Sequence, residues 1–334
     1  MVFILCISGC TCSGKTTLSN ALFKKGIKKK INVEKISQDD FYVDKEKVKQ
    51  IRNNENSDII FYDYDSISAL DKEKIINVIE MKKNNCDLLI VEGTMLLEIN
   101  EIVTNYCDKI IYVTLEKNIC NKRRKNRNDY DPPDNEGYFD QVVWPSYQNN
   151  LDIAKKLSHM YDKNFFTFVD GESIKLEDID NFCNFIWRDI KLNVVRIVDD
   201  TKIDINVVNE IVTTPSSGAT SIFVGTTRDN FNNKKVIRLE YECYKEMALK
   251  EMKKLCLKGR EKFKTIHNIA IFHRINHVPV TEASVVIAVS SPHRHECQEA
   301  SNFLIDELKV SVPIWKKEIY SDNSGQWKEN CCKK

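Results

Sequence analysis

The rhythm of apolar and polar positions changes near the middle of this 334-residue chain. Up to about residue 190, short apolar runs alternate with stretches of helical period. Residues 2–8, 33–37, 87–92, 109–114 and 165–169 read as strands, and 15–25 and 68–82 as helices. Uninterrupted apolar strands separated by helices predict an α/β unit, a parallel sheet covered on both faces. From about Leu192 strands follow strands more directly. Residues 193–198, 219–225, 235–241, 267–273, 284–290 and 312–319 read as strands, and 204–212, 244–264 and 292–309 as helices. That order predicts an α+β unit with a largely antiparallel or mixed sheet. No Gly/Ser/Pro-rich linker separates the two rhythms, and the domains are placed at 1–190 and 191–334.

Composition narrows the function classes. A hydrophobic fraction of 42% with 30% charged residues suits globular cores. The apolar runs are strand-length and too short to cross a membrane, and the apolar start lacks the basic leader of a secretory signal. The net charge of +1 hides an asymmetry: residues 1–190 carry 27 Lys and Arg against 31 Asp and Glu, residues 191–334 carry 23 against 18. A negative front half argues against a general nucleic-acid role, which needs clustered positive charge. The basic back half suits an anionic small molecule or an acidic partner. The 12 cysteines form no pair of Cys-x-x-Cys motifs. They are expected to be reduced thiols of a cytosolic protein, with no zinc site.

The chemistry of the front half starts at Gly9-Cys10-Thr11-Cys12-Ser13-Gly14-Lys15-Thr16, which fits G-x-x-x-x-G-K-[ST] between a strand and a helix. In that context backbone N–H groups wrap polyphosphate oxygens, Lys15 neutralises the β/γ-phosphates and the Thr16 hydroxyl ligates Mg²⁺. Gly9, Ser13, Gly14, Lys15, Thr16 and Thr17 are therefore candidates for binding ATP. Ser37-Gln38-Asp39-Asp40-Phe41-Tyr42 follows the second strand, at the sheet edge where open α/β folds bind ligands. A carboxylate there can accept a hydroxyl proton or reach Mg²⁺; two adjacent carboxylates can also be a plain polar turn. Val91-Glu92-Gly93 brings another carboxylate to the same edge. Lys122-Arg123-Arg124-Lys125-Asn126-Arg127 reads either as a solvated helix face or as a lid whose arginines stabilise transferring phosphate.

Together with Tyr64-Asp65, Tyr130-Asp131-Pro132-Pro133-Asp134, Gly137-Tyr138-Phe139-Asp140 and Val143-Trp144-Pro145, these motifs resemble nicotinamide riboside kinases of the uridine-kinase-like group, over residues 1–190. The resemblance implies ATP-dependent phosphorylation of the riboside's 5′-hydroxyl. It makes Asp39 the base and, with Thr16, the Mg²⁺ neighbour. Asp40, Tyr42, Tyr64 and Asp65 would hold the nucleoside, Arg124 would meet ATP, and Tyr130 would flank the base. The alternatives are a nucleotide-binding module without turnover or a kinase for another nucleoside such as uridine. The intact Gly14, Lys15, Thr16 and Asp39 speak against the first.

In the back half, cationic side chains recur at element ends. Arg228 follows one strand, and His293 and Arg294 open a helix for which Ser291 is the expected N-cap and Pro292 the first residue. Lys309 closes that helix. Strand alternation sends Lys316 and Lys317 to opposite faces, so only one of them can share a pocket floor. Each lysine alone could be a solvated surface charge. As a set, Phe223-Val224-Gly225-Thr226-Thr227-Arg228-Asp229-Asn230, Leu239-Glu240-Tyr241-Glu242, Phe272-His273-Arg274, Val278-Pro279-Val280, His293-Arg294 and Pro313-Ile314-Trp315-Lys316-Lys317-Glu318 resemble the molybdopterin synthase catalytic (large) subunit, over roughly 190–330. The resemblance implies an α/β-hammerhead fold and conversion of cyclic pyranopterin monophosphate to molybdopterin. Sulfur would come as a thiocarboxylate on the C-terminal Gly-Gly tail of a separate ubiquitin-like small subunit, in a heterotetramer built on a dimer of this chain. This chain ends Cys-Cys-Lys-Lys and would borrow its sulfur donor. Lys309 and Lys316 match the family's catalytic pair; Arg228, His293, Arg294, Lys317 and Glu318 are further substrate-binding candidates. Cys243, Cys256 and Cys297 read as structural, and no cofactor is expected for this half.

Overall fold

The computed structural model describes residues 2–127 and 134–328. The chain divides into two compact units, one of Val2–Lys28 with Asn32–Ile186, the other of Lys29–Ile31 with the chain from Trp187 onward.

In the first unit, β1 (Phe3–Gly9), α1 (Lys15–Lys28) and β2 (Val33–Ser37) are followed by a hairpin of β3 (Gln50–Arg52) and β4 (Ile60–Tyr62). Then come α2 (Lys72–Lys83), β5 (Leu88–Glu92), β6 (Lys109–Thr114), α3 (Lys117–Lys125), α4 (Trp144–Met160), β7 (Phe166–Asp170) and α5 (Ile179–Trp187). Five strands form a parallel sheet in the order β2-β5-β1-β6-β7. Every residue of β1 and β5 is buried, as their uninterrupted apolar runs require. The strands joined to β1 lie on its two sides, so a crevice opens beyond its carboxyl end, and the Gly9–Thr16 loop leaves β1 there. Gly14 adopts φ +96°, open to glycine at no steric cost.

One expectation fails in this unit. Cys6 and Cys107 form a disulfide across 101 residues, where only free thiols were expected. Parallel pairing of β1 with β6 carries the approach to β6 alongside Cys6, with Asp108 N–H donating to Ile4 O. That proximity depends on topology, which cysteine spacing does not encode.

The second unit contains β8 (Asn193–Asp199), α6 (Ile205–Val212), β9 (Ala219–Thr226), β10 (Asn230–Phe231), β11 (Lys234–Cys243), α7 (Lys245–Lys262), β12 (Ile269–Pro279), β13 (Ala283–Ser291), α8 (Arg294–Ser311), β14 (Ile314–Tyr320) and β15 (Gly325–Lys328). Its main sheet runs β15-β14-β11-β12-β13-β9 with antiparallel neighbours, β10 pairs β11, and β8 joins β12 in parallel. The helices α7 and α8 place Met252, Leu255, Ala300 and Leu304 in a core shared with Ile271, Ile287 and Val289 of the sheet. The start of α8 differs from expectation: His293 is the N-cap and Arg294 the first helical residue. Ser291 is still in the β13–β9 ladder opposite Ala219, so the chain leaves the sheet too late for it to cap, and the helix starts two residues further on.

The fold depends on one close approach beside the phosphate loop. A Cβ on Gly171, just past β7, would lie 2.6 Å from Ser13 O and 2.9 Å from Thr114 O, both backbone atoms. Gly171→Ala should therefore destabilise the unit by about 1–3 kcal/mol, the usual effect of overpacking. Urea unfolding measures this; an unchanged midpoint would mean the loop can move aside freely.

Candidate functional site

The crevice of the first unit is a cavity of about 1070 Å³. Ser13, Gly14, Lys15, Thr16 and Thr17 line it from the loop, with Asp39, Glu92 and Arg124 around them. Lys15 is buried, and its Nζ donates to Cys10 O at 2.6 Å. Burial pulls its pKa below the usual lysine range, against the attraction of Cys10, Glu92 and Asp39. The Thr16 hydroxyl donates to Glu92 Oε2 at 3.0 Å, and Lys35 Nζ sits 3.7 Å from Glu92 Oε1. Ser13 Oγ is buried without a hydrogen-bond partner among the described residues. A buried hydroxyl without a partner, beside backbone N–H groups and an ammonium, fits a polyphosphate. No cluster of three or more His, Cys, Asp or Glu able to hold a metal lies among the described residues. Thr16 and Asp39, which both line the cavity, are the residues that would hold a Mg²⁺ beside a phosphate.

The 3₁₀ turn Gln38–Phe41 separates the two carboxylates that follow β2. Asp39 lines the cavity, while Asp40 is exposed and off it. The turn is fixed by buried Gln38, whose Oε1 accepts from Met95 N–H at 2.8 Å and whose Nε2 donates to Thr94 Oγ1 at 3.2 Å. Also lining the cavity, Tyr42 and Tyr64 meet edge-to-face with ring centroids 5.6 Å apart. Burial raises the Asp65 pKa, opposed first by Arg124, and Tyr138 donates its hydroxyl proton to Asp65 Oδ2 at 3.0 Å. Arg124 is gripped in bidentate fashion by Asp134, Nε to Oδ2 at 2.5 Å and Nη2 to Oδ1 at 3.0 Å. Arg123 and Arg127 line the same cavity. Asp134 and Tyr138 were quoted in sequence motifs without a role; their partners depend on the fold. Gly9 ends β1 outside this cavity, and Tyr130 lies outside the described residues.

The second unit has a smaller cavity, about 310 Å³, between the end of α8 and the sheet. Arg228, Lys309, Lys316 and Glu318 line it together. Lys317 does not; it points to the other face, its Nζ 5.6 Å from the Trp327 ring centroid. His293 and Arg294 are not brought to this cavity. They are exposed at the opposite end of unbroken α8, about 22 Å from Lys309 at 1.5 Å per residue. Burial pulls the Lys316 pKa below the usual lysine range; Glu318 opposes this, and Arg228, Lys309 and Lys328 reinforce it. A cavity with three cations and one carboxylate suits an anionic ligand and proton transfer by an amine.

His273, absent from the sequence-based candidates, also lines the cavity. Its Nδ1–H donates to Arg274 O at 2.8 Å, and its ring meets Tyr241 edge-to-face at 5.0 Å. Phe272-His273-Arg274 was among the motifs that carried the resemblance, but without a role for the histidine.

These features define two classes in one chain: a P-loop kinase-like α/β unit, and an α+β unit with a cationic, amine-bearing cavity. Residues 5–140 match the AAA domain and residues 198–311 the MoaE protein family. The molybdopterin synthase catalytic subunit of Taeniopygia guttata is 57% identical over 129 residues, covering 39% of this chain and 83% of that protein. That of Drosophila mojavensis is 58% identical over 130 residues, covering 39% of this chain but only 36% of the fly protein. The chain thus spans about a third of the length of the curated fly relatives it matches. A solved molybdopterin synthase from Staphylococcus aureus is 35% identical, covering 40% of this chain and 94% of that one with a TM-score of 0.38. The chain belongs to the molybdopterin synthase catalytic subunit family. Among the described residues, no helix is long and apolar enough to cross a membrane.

Burial drives the pKa of His273 down to about 4, well under the unfolded value of about 6.5. The unfolded chain binds this proton first, so the contribution to stability is full above about pH 6.5 and is lost as pH falls towards 4. A displacement of that size is worth on the order of 3 kcal/mol. Denaturant unfolding between those pH values should show a steeper loss for the wild type than for His273→Gln; equal slopes would mean that the histidine is not held neutral.

Proposed function

We propose that the second unit is the catalytic subunit of a molybdopterin synthase. It converts cyclic pyranopterin monophosphate to molybdopterin, with sulfur delivered as a thiocarboxylate on the Gly-Gly tail of a ubiquitin-like small subunit. The observation that carries this reading is the meeting of Lys309 and Lys316 with Arg228 in one cavity, in a unit more than half identical to catalytic subunits over 129 residues. Arg228 and Lys309 supply cations for the phosphate and the thiocarboxylate. Lys316, drawn below the usual lysine range, provides an amine that can take and return a proton as sulfur is transferred. His293 and Arg294 cannot reach this cavity within one chain. The assembly in this reading is a heterotetramer built on a dimer of this chain.

The first unit, in the same reading, is an ATP-dependent kinase for nicotinamide riboside. The buried Lys15, the partnerless Ser13 hydroxyl and the Thr16–Glu92 contact support ATP binding. Mg²⁺ at Thr16 and Asp39 would neutralise the transferring phosphate. Asp39 accepts the ribose hydroxyl proton, Arg124 meets the phosphates, and Tyr42, Tyr64 and Asp65 hold the nucleoside. Asp40, on the solvent side of its turn, has no contact role in this arrangement.

Lys309→Ala and Lys316→Ala should each lower molybdopterin formation by about 10²–10⁴-fold without lowering the melting temperature, and Lys317→Ala should do far less. The assay combines precursor, thiocarboxylated small subunit and full-length chain, and product should vanish when the partner lacks its last two glycines. Near-wild-type rates for both single variants would sink this mechanism.

Lys15→Ala should remove phosphorylation of nicotinamide riboside by Mg-ATP while sparing molybdopterin formation. If the wild-type chain phosphorylates no pyridine or pyrimidine nucleoside, the kinase reading is wrong.

A further inference from the structure

Among the described residues that line the second cavity, Glu318 is the one carboxylate. It stands two residues from Lys316 on the same face of β14, where an ion pair between them would be expected. The structure pairs it otherwise. Glu318 Oε2 lies 3.5 Å from Lys328 Nζ on the neighbouring strand β15 and accepts the Tyr320 hydroxyl proton at 2.8 Å. No ion pair joins Glu318 to Lys316 among the described residues. Lys328 is itself held: its Nζ donates to Gln326 Oε1 at 2.9 Å and sits 4.1 Å from the Phe231 ring centroid. Its side chain is only 16% exposed, and that of Glu318 5%. In the β14–β15 ladder Lys328 stands directly opposite Lys316, so its amine reaches Glu318 diagonally.

We propose that Lys328 is a positioning residue of this cavity: by engaging Glu318 it withholds the carboxylate from Lys316 and leaves the Lys316 amine without a fixed counter-ion. The consequence for turnover rests on the synthase reading; the effect on Lys316 does not. Facing Lys316 are Glu318 on its own strand, Arg228 after β9, Lys309 on α8, Lys328 on β15, Tyr241 opposite on β11, and neutral His273 on β12. Removing Lys328 deletes one repelling cation and releases Glu318 towards Lys316. Both changes favour the ammonium form.

The test is competitive trace acetylation of the full chain across about pH 6–11, with the Lys316 peptide quantified by mass spectrometry. In Lys328→Met the Lys316 midpoint should move up by about one pH unit, a tenfold loss of neutral amine at a fixed pH below it. Lys328→Arg should stay near wild type, and adding Glu318→Gln to Lys328→Met should bring the midpoint back down. Should Lys328→Met fail to fold in a thermal melt, Lys328→Gln carries the same expectation. An unmoved midpoint in a folded neutral variant overturns the proposal. Product formation distinguishes the two readings. A midpoint that moves on substitution, when the wild-type chain makes no molybdopterin, leaves the positioning role standing and overturns the synthase reading. Active synthase with an unmoved midpoint does the reverse.

Discussion

Each unit shields a lysine amine in a cavity, Lys15 buried and Lys316 half-buried, and the strand ends around it set its surroundings. An ammonium in a low-dielectric site is strongly disfavoured unless oxygens surround it. In the first unit the parallel sheet solves this by topology. All strands point their carboxyl ends to one edge, so Glu92 at the end of β5 and Asp39 beyond β2 arrive beside Lys15 without any long-range design. In the second unit the neighbouring strands are antiparallel, and among the described residues no oxygen is committed to the Lys316 amine. Glu318 shares a face with Lys316, and the turn after β14 brings back β15 with the cation that engages it.

How much of this was legible in the sequence depends on the range of the interaction. The strands of both units were readable because each is buried on a face or on both, which forces a continuous or alternating pattern over several residues. Lys316 and Lys317 were separable for the same reason: alternation is a property of neighbouring residues. The hairpin of Gln50–Arg52 with Ile60–Tyr62, and the short strand Gly325–Lys328, offer too few positions for a pattern to emerge. Helix Trp144–Met160 was missed although its Pro145 is a good first-turn residue, because the aromatic run before it obscured the period.

Other features could not be read because their determinants are distant. Asp39 and Asp40 are equivalent in sequence, and only the burial of Gln38 against Thr94 and Met95 decides which of them meets the cavity. The Ser291-Pro292 pair carries a strong helix-start signal, yet pairing with β9 keeps Ser291 in the sheet and moves the cap to His293. Tertiary pairing won over local preference. The Cys6–Cys107 bridge and the Glu318–Lys328 pair are of the same kind, contacts that exist only once strand order is known.

The groups that would hold an anion in the second cavity are also the groups that tune its amine. Arg228 and Lys309 press the Lys316 pKa down along with burial. A phosphate or thiocarboxylate seated between them would cancel part of that repulsion, and the same ligand would then raise the affinity of Lys316 for a proton. Binding and proton uptake are therefore linked through shared cations, with each favouring the other. Such a cavity disfavours the ammonium form of Lys316 when empty and favours it as the anionic ligand arrives. Departure of the anion would lower the proton's affinity again and reset the amine. No moving part is required, because the coupling is carried by fixed charges on α8, β14 and the loop after β9.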